Sequence, residues 1–288
     1  MNQKNNLSLI IFLILIVFNL GSWYLVFFSN ASSESGIYFL DVGQGDSSLL
    51  KFGGAEILID AGPNSKVIQS LGAKMLGDKY IDLGVITHPE LDHFNGFNYL
   101  LSRYNFGAFI INGRRGRTAE WSEFLAAAET HQIPVLTLGA GDKISYNDNE
   151  FKIISPSVQV LGTGAMNDTS LVGKLETRNF GALFLGDISE SIEKFLIQNY
   201  ELEFLRVEVL KIAHHGSKFS SNNDFLKTVA PKIALIGVGA SNTYGHPTPQ
   251  TLERLTNLEA KIFRTDLDGT IVIREIDDKL KVFLGIEQ

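Results

Sequence analysis

The chain has 288 residues, of which 44% are hydrophobic and 20% are charged, and its formal net charge at pH 7 is −7. These values are typical of a packed globular protein; they exclude an intrinsically disordered chain and a protein that coats nucleic acid by bulk electrostatics, although a local basic surface remains compatible with them. Because there is no cysteine, disulfide bonds, thiolate metal sites and cysteine nucleophiles are excluded, and any metal ligands must be histidines and carboxylates.

The first predicted element is an apolar segment from Leu7 to Phe28, which has 22 residues and no charged side chain. A helix of this length is roughly 33 Å long, enough to span a bilayer. Lys4 precedes it, so the positive-inside rule places the N-terminus in the cytoplasm and the rest of the chain outside. We therefore predict a single-pass signal anchor and tether over residues 1–34. The alternative is a signal peptide cleaved after residues 29–31, which would give a secreted protein.

Residues 35–288 are predicted to form one domain of strands and helices. Three short β-type runs come first, IYFLDV, SSLLKF and AEILIDAG, and glycine-containing turns separate them, which predicts an antiparallel meander. Helical periodicity then appears near residues 64–76, 94–104, 119–131, 189–200, 221–229 and 248–256. Strand-like runs lie between these helices: DLGVIT, GAFIIN, EFKIIS, TSLVGKL, GALFLGD, VEVLKIA and KIALIGV. This pattern indicates an α+β fold in which helices cover sheets.

The segment ITHPELDHFNG, residues 86–96, carries the densest group of metal-ligand residue types in the chain. The proline after His88 favours an extended conformation at that histidine. Alternate side chains of an extended segment share a side, so His88, Glu90 and Asp92 are expected to face one cavity, while His93 begins the next helix. The segment therefore predicts a metal site at a strand-to-helix corner. A helix capped by Asp92, with its histidines on the surface, is the structural alternative.

Further candidate ligands follow three other apolar runs. They are His214 and His215 after VLKIA, His246 after KIALIGV, and Asp187 at the end of GALFLGD. Functional residues concentrate at strand ends, and a carboxylate after so apolar a run needs a partner. One histidine in such a setting is more often structural, but four strand ends with the same ligand types indicate one metal centre. His131, in AETHQIP, is interpreted as structural.

These motifs resemble the metallo-β-lactamase superfamily, and most closely the ComEC-like hydrolase domains of competence DNA internalisation. The similarity covers nearly the whole chain through an ordered set of segments: FLDVGQGDSSLL, ILIDAG, THPELDH, NDTSLV, FLGD, LKIAHHGS, GHPTP and RTDLDG. The resemblance implies an αββα sandwich with a two-metal site in a groove at one edge of the sheets. It also implies metal-dependent hydrolysis by a membrane-tethered phosphodiesterase or nuclease. The alternatives are a hydrolase of small esters, lactams or thioesters and a non-catalytic binding module of the cell envelope.

The resemblance also implies a ligand set for two divalent ions. His88 and His214 would hold the first ion, Asp92, His93 and His246 the second, and Asp187 would bridge them. Glu90 stands where the superfamily usually has a histidine and where ComEC-like domains tend to have a carboxylate. A carboxylate is a harder ligand than imidazole, so Glu90 as a ligand would make manganese an alternative to zinc. Asp60, in ILIDAG, is expected to hydrogen-bond a ligand histidine and fix its tautomer.

Two residues are predicted to be catalytic. Asp92 is a carboxylate that can accept or relay a proton, and His215 lies in a turn that can present hydrogen bonds to a phosphate. Ser217 and Lys218 follow in the same turn and could bind phosphate as well. A capping turn with a solvated lysine is an equally good interpretation of these two residues.

Two other segments are candidates for substrate contact. Asn167 and Ser170 lie in a segment that resembles the groove lining of the family. Arg114, Arg115 and Arg117, in INGRRGRTAE, form the only concentrated basic patch of the sequence. Such a loop could steer single-stranded DNA toward the groove, although a run of this kind is more often simply solvated.

Overall fold

The computed structural model describes residues 11–22, 35–75 and 77–285. Residues 11–22 form one helix, α1, whose apolar side chains are exposed. Among the described residues, no helix is both long and apolar enough to cross a membrane. The other parts of the predicted anchor, residues 7–10 and 23–28, and residues 29–34 of the tether lie outside the described residues. The anchor therefore stays a prediction.

The described part of residues 35–285 folds into strands, helices and two 3-10 turns. The strands are β1 Gly36–Phe39, β2 Ser48–Phe52, β3 Ala55–Ile59, β4 Tyr80–Val85, β5 Asn105–Ile111, β6 Val135–Thr137, β7 Lys143–Tyr146, β8 Asn149–Ser155, β9 Val172–Glu176, β10 Gly181–Phe184, β11 Val209–Lys211, β12 Ile233–Ile236, β13 Lys261–Arg264, β14 Thr270–Ile276 and β15 Lys279–Gly285. The helices are α2 Lys66–Met75, α3 Leu91–Leu100, α4 Ala119–Thr130, α5 Val158–Thr163, α6 Glu190–Asn199, α7 Leu202–Leu205, α8 Asn223–Val229, α9 Pro249–Thr256 and α10 Thr265–Asp268. The 3-10 turns are Asn167–Thr169 and Ala213–Gly216.

The strands form two mixed sheets. The first has the order β15-β14-β1-β2-β3-β4-β5-β6, and the second has the order β13-β12-β11-β10-β9-β8-β7. The predicted meander is confirmed, because β2 pairs antiparallel with both β1 and β3. Parallel pairing follows, between β3, β4, β5 and β6 in the first sheet and between β10, β11, β12 and β13 in the second. Parallel pairing brings the carboxyl ends of these strands to a common edge of each sheet.

Alternating side chains divide the interior into three apolar layers. In β1, Ile37 and Phe39 pack between the two sheets, whereas Tyr38 points to the opposite face, toward helices α2 to α4. Residues on the outer face of the second sheet pack against helices α6, α8 and α9. Leu196 of α6 and Phe225 of α8 are two of the helix residues in this layer. Strand side chains alternate between the two faces of a sheet, so each sheet is buried on both sides. The result is the predicted αββα sandwich.

A backbone hydrogen bond joins the carboxyl edges of the two sheets: the Leu171 amide, just before β9, donates to the Thr87 carbonyl, after β4, at 2.8 Å. Within the second sheet, the His214 amide, after β11, donates to the Gly186 carbonyl, after β10, at 3.1 Å. The turns that follow β4, β10, β11 and β12 consequently meet at one place. These turns contain the histidines and carboxylates singled out in the sequence.

Helix α6 carries a buried carboxylate that holds the loop before α8. Glu193 is 0% exposed. Its Oε1 accepts a hydrogen bond from the Ser221 amide, and its Oε2 accepts from the Asn222 amide at 2.9 Å and from Asn222 Nδ2 at 2.6 Å. Burial raises the pKa of Glu193 from 4.5 to about 7, although these three donors favour the charged form. The loop that follows His214 and His215 therefore depends on one titrating side chain.

The stability of the protein is expected to reflect this carboxylate. Its pKa is higher in the folded than in the unfolded chain, so its contribution is fully present below pH 4.5 and is lost as pH rises through about 7. Relative to Glu193→Gln, which does not titrate, the wild-type free energy of unfolding should fall by about 3 kcal/mol between pH 4.5 and 8. Urea denaturation at pH 5, 6, 7 and 8 measures this difference. Glu190→Gln, in the same helix at a side chain that is 47% exposed, is the control. A difference for Glu193→Gln that does not vary with pH would contradict the prediction.

Candidate metal centre

Four buried side chains converge where the carboxyl edges of the two sheets meet. Asp46, His93, Asp187 and His215 each offer one nitrogen or carboxylate oxygen, and these atoms all lie within 4.8 Å of one another. Asp187 Oδ1 is 3.3 Å from His93 Nε2, and Asp187 Oδ2 is 3.7 Å from His215 Nε2. Asp187, which the resemblance assigns as a bridging ligand, thus lies between two imidazoles. Burial opposes its ionisation, but His93 and His215 hold the pKa of Asp187 well below its usual range.

A hydrogen bond to Asp60 orients His93. His93 Nδ1 is 2.8 Å from Asp60 Oδ2, and Asp60 also accepts from the Thr87 amide and hydroxyl, both at 2.8 Å. With its proton on Nδ1, His93 directs Nε2 toward Asp187. This is a hydrogen bond of the kind expected for Asp60. Burial alone would lower the pKa of His93, but the carboxylates of Asp187, Asp60 and Asp92 outweigh it and raise the pKa well above its ordinary value.

His215 is oriented in a similar way from the second sheet. Its Nδ1 is 2.8 Å from the Gly237 carbonyl, and its Nε2 is 3.2 Å from Asp92 Oδ2. A side chain at Gly237 would collide with the carboxylate of Asp46. Glycine at this position therefore lets the Asp46 carboxylate lie close to the backbone that binds His215. Burial opposes the charged form of His215, but Asp187 and Asp46 raise its pKa to about 10. The two residues predicted to be catalytic, Asp92 and His215, are therefore in contact.

His88 is completely buried, and two hydroxyl groups define its tautomer. Its Nδ1 is 3.1 Å from Thr87 Oγ1 and 3.2 Å from Ser170 Oγ. Both hydroxyls donate elsewhere, Thr87 to Asp60 at 2.8 Å and Ser170 to the Asn167 carbonyl at 2.6 Å. Each hydroxyl oxygen is therefore left to accept from His88 Nδ1–H, which leaves Nε2 without a proton. Burial, followed by the charge of His93, lowers the pKa of His88 to about 3, so its imidazole is neutral.

The remaining predicted ligands lie at the rim of a groove of about 460 Å³. His214 is 34% exposed, and its Nε2 is 3.8 Å from Asp187 Oδ2. The ring of His246 is 5.8 Å from that of His214 and 6.4 Å from that of Tyr244, measured between centroids. Glu90 lines the same groove, and burial, followed by the charges of Asp92 and Asp187, raises its pKa. His215, rather than His214, belongs to the compact buried group.

The backbone of the histidine pair has an uncommon conformation. The φ angles of His214, His215 and Gly216 are 48°, 51° and 82°. Non-glycine residues in this left-handed region are strained, each by about 1–3 kcal/mol, and such strain concentrates at functional sites. The conformation turns the chain sharply after β11 and places both rings at the groove.

Asp46 and Lys211 were not predicted as parts of the site. Lys211 is 3% exposed and forms an ion pair with Asp46; its ammonium also donates to the Gly186 carbonyl at 2.9 Å. The imidazole nitrogens nearest Asp46 are His93 Nδ1 at 3.8 Å and His215 Nδ1 at 3.6 Å. These nitrogens already bond Asp60 and Gly237. We therefore place Asp46 behind the rings, as the partner of Lys211 rather than as a metal ligand. A lysine within the apolar run VLKIA was the sequence signal for such a buried partner.

Three buried atoms test whether a metal fits this centre. His88 Nε2, His93 Nε2 and Asp187 Oδ1 have no hydrogen-bond partner among the described residues. Buried polar atoms are normally paired, so two unpaired imidazole nitrogens and an unpaired carboxylate oxygen in this region indicate that a bound cation pairs with them. Imidazole nitrogens with carboxylate oxygens suit divalent transition metals such as zinc and manganese. The residues present therefore fit divalent ions.

Other candidate residues lie apart from the groove. Ser170 and Ser217 are buried, and Ser170 contacts His88 instead. Lys218 is exposed, with its ammonium 5.0 Å from the centre of the Phe219 ring. None of Ser170, Ser217, Lys218 and Asn167 is among the residues that line the groove. His131 lies at the exposed C-terminal end of α4, outside the centre.

Two stacked sheets, covered by helices and with histidines and carboxylates at one edge, define a metal-dependent hydrolase of the metallo-β-lactamase fold. The family model described as "Metallo-beta-lactamase superfamily" matches residues 40–239. The chain belongs to this superfamily, as its sequence motifs predict.

Relatives with known names support a more particular similarity. The chain is 29% identical over 265 residues to ComE operon protein 3 of Bacillus subtilis, and the matched region covers 84% of this chain and 33% of that protein. It is 28% identical over 243 residues to competence protein ComA of Neisseria gonorrhoeae, covering 83% of this chain and 32% of that protein. The chain thus spans about a third of the length of these relatives. This similarity bears out the predicted ComEC-like assignment.

A solved structure supports the fold. Igni18, a metallo hydrolase from the archaeon Ignicoccus hospitalis, superposes with a TM-score of 0.53 at 12% identity, over 83% of this chain and 98% of that one. At this identity the similarity establishes only the αββα architecture.

Proposed function

We propose that this protein is a phosphodiesterase that cleaves DNA, preferentially single strands, with two divalent ions as cofactors. Three buried ligand atoms without a hydrogen-bond partner, His88 Nε2, His93 Nε2 and Asp187 Oδ1, carry this proposal, and Asp187 also lines the groove. The similarity to proteins named for competence supports a nucleic-acid substrate. Glu90, a hard ligand at the groove, supports manganese as well as zinc.

The ligand residues are arranged to hold cations without moving. Asp60 fixes the ring of His93, so His93 Nε2 points to Asp187. The Gly237 carbonyl fixes the ring of His215, whose Nε2 lies closer to Asp92 Oδ2 than to Asp187 Oδ2. Divalent ions held there would supply Lewis acidity, which activates water as a nucleophile and neutralises charge on a phosphoryl oxygen. The protein residues contribute preorganised geometry, because the rings are held from behind before any substrate arrives.

Asp92 is suited to accept a proton from the attacking water. Its side chain is 33% exposed, so it reaches the groove, and its Oδ2 is held by His215 Nε2 at 3.2 Å. Burial opposes its ionisation, but His93 and His215 keep the pKa of Asp92 below its ordinary value. Asp92 is therefore a carboxylate at neutral pH and can act as a proton acceptor or relay. His215 positions it.

Hydrolysis by the full chain after removal of metal tests this function. The purified protein is treated with a chelator and dialysed, and then receives manganese or zinc. Fluorescently labelled single-stranded and double-stranded 30-mers are the substrates, with a lactone and a β-lactam in parallel. Cleavage is expected only after metal addition, faster on the single strand, with manganese at least as effective as zinc.

Two outcomes would overturn this function. If neither metal supports DNA cleavage while the lactone or β-lactam is hydrolysed, the protein is a small-molecule hydrolase. Metal content after reconstitution is measured by inductively coupled plasma mass spectrometry. Less than one equivalent of metal per chain would contradict the two-metal centre.

A further inference from the structure

A second cavity adjoins the metal groove. It has a volume of about 590 Å³ and shares with the groove a wall formed by residues 90–92. On its other side lie Arg114, Arg117 and Thr118, from the loop that connects β5 to α4. We call this cavity the arginine pocket. It combines a cationic side with direct access to the carboxylate wall of the metal centre.

The loop of the arginine pocket is tied to the same segment that supports His88. Arg114 donates through its backbone amide to Asn112 Oδ1 at 2.9 Å and through Nη1 to the Leu161 carbonyl at 2.8 Å. Asn112 Nδ2 in turn donates to the Thr169 carbonyl at 2.7 Å. The next residue, Ser170, is the one that contacts His88 at 3.2 Å. The position of the loop relative to the metal centre is therefore set by hydrogen bonds that are buried or partly buried.

Arg117 is the available cation of the pocket. Its side chain is exposed, and it has no hydrogen bond or ion pair with any residue that the structure describes, whereas Arg114 already bonds Leu161. A guanidinium pairs with a phosphate through two parallel hydrogen bonds. Arg117 is thus free to bind an anion.

We propose that the arginine pocket binds a backbone phosphate next to the phosphodiester that is cleaved, so that a DNA strand occupies the pocket and the metal groove together. This proposal rests on the phosphodiesterase function argued above. Each cavity alone has the size of a small-molecule site, about 300–1,000 Å³, and a substrate that fills both is an oligonucleotide rather than a mononucleotide. The net charge of −7 repels a polyanion in bulk, which makes a local cation necessary at the groove.

Arg117→Gln and Arg115→Gln form a matched pair for the test. Both remove one exposed positive charge from the same loop, but only Arg117 lines the pocket. The full-length variants are assayed with manganese on a single-stranded 20-mer and on bis(p-nitrophenyl) phosphate, a diester too small to reach the pocket. Binding of the same 20-mer is measured separately by fluorescence anisotropy without added metal. Thermal unfolding checks that both variants fold.

Arg117→Gln is expected to raise both the KM and the Kd for the 20-mer about tenfold, as for loss of a charge-assisted hydrogen bond. Its kcat/KM for the small diester should stay unchanged. The slope of log Kd against log salt concentration should decrease by about 0.7 for the single strand. Arg115→Gln should change KM and Kd by less than about twofold.

The outcomes separate this proposal from the phosphodiesterase function. Equal effects of the two variants, equal loss on both substrates, or no effect on the 20-mer would each overturn the arginine pocket. If the wild type cleaves DNA and Arg117→Gln behaves like it, only the pocket fails. If the wild type cleaves no DNA but binding depends on Arg117 and not on Arg115, the phosphodiesterase function fails while the phosphate site stands.

Discussion

Asp187→Asn is expected to lower metal-dependent hydrolysis by at least a hundredfold and to reduce the metal bound per chain. Even the outer partners of a metal ligand are typically worth about 10–100-fold in affinity or activity. Asparagine keeps the size of the side chain but removes the charge that lies between His93 and His215. Elemental analysis after reconstitution and the single-strand cleavage assay measure the two effects.

The control for Asp187→Asn is Asp148→Asn. Asp148 is 70% exposed and pairs with Arg178 at the surface, so its loss removes the same charge far from the groove. Circular dichroism verifies that the Asp187 variant is folded, since a misfolded protein would also lose metal. Full metal content and full activity in folded Asp187→Asn would show that Asp187 holds no ion.

The second large effect is expected from the buried pair of Asp46 and Lys211. Breaking a buried ion pair by removing one partner typically costs about 3–5 kcal/mol, because the other charge stays in the interior without its partner. Lys211→Met should therefore lower the free energy of unfolding by about this amount. Urea denaturation of the metal-free protein measures the change without interference from bound ions.

A double-mutant cycle shows whether the two charges act as a pair. Asp46→Asn together with Lys211→Met removes both charges and is expected to recover part of the stability lost by Lys211→Met. Lys194→Met is the surface control; Lys194 Nζ is 2.7 Å from Glu190 Oε1 in an exposed pair, and its loss should cost less than about 1 kcal/mol. Strictly additive effects at Asp46 and Lys211 would contradict a specific pair.

The longer helices could be predicted from the sequence, whereas several short elements could not. Helices α2, α3, α4, α6, α8 and α9 fall at or near the predicted positions, because seven to twelve residues show a helical repeat clearly enough. Helices α5, α7 and α10 have only four to six residues, too few for periodicity to be visible. The hairpin β14–β15 was also not predicted, although Asp277 and Asp278, both with positive φ, form a recognisable turn signal between its strands.

In the candidate site, too, some features could be predicted from the sequence and others, down to the free atom of a ring, could not. The sequence could indicate that His88, Asp92, His93 and Asp187 belong together, because each follows or ends an apolar run. It could not distinguish His214 from His215, since that choice depends on the left-handed turn of residues 214–216. It also could not show which ring nitrogen is free, which depends on partners such as Asp60 and the Gly237 carbonyl.

By itself, the sequence determined the superfamily, the order of the main elements and the types of metal ligand, because these depend on local periodicity and on motifs of a few residues. Only the tertiary structure decided that His215 lies against Asp92, that Lys211 pairs with Asp46, and that an arginine pocket adjoins the groove. Asp92 and His215 are 123 positions apart in the chain. Contacts of this kind arise when two sheets pack at a common edge, and no local pattern encodes them.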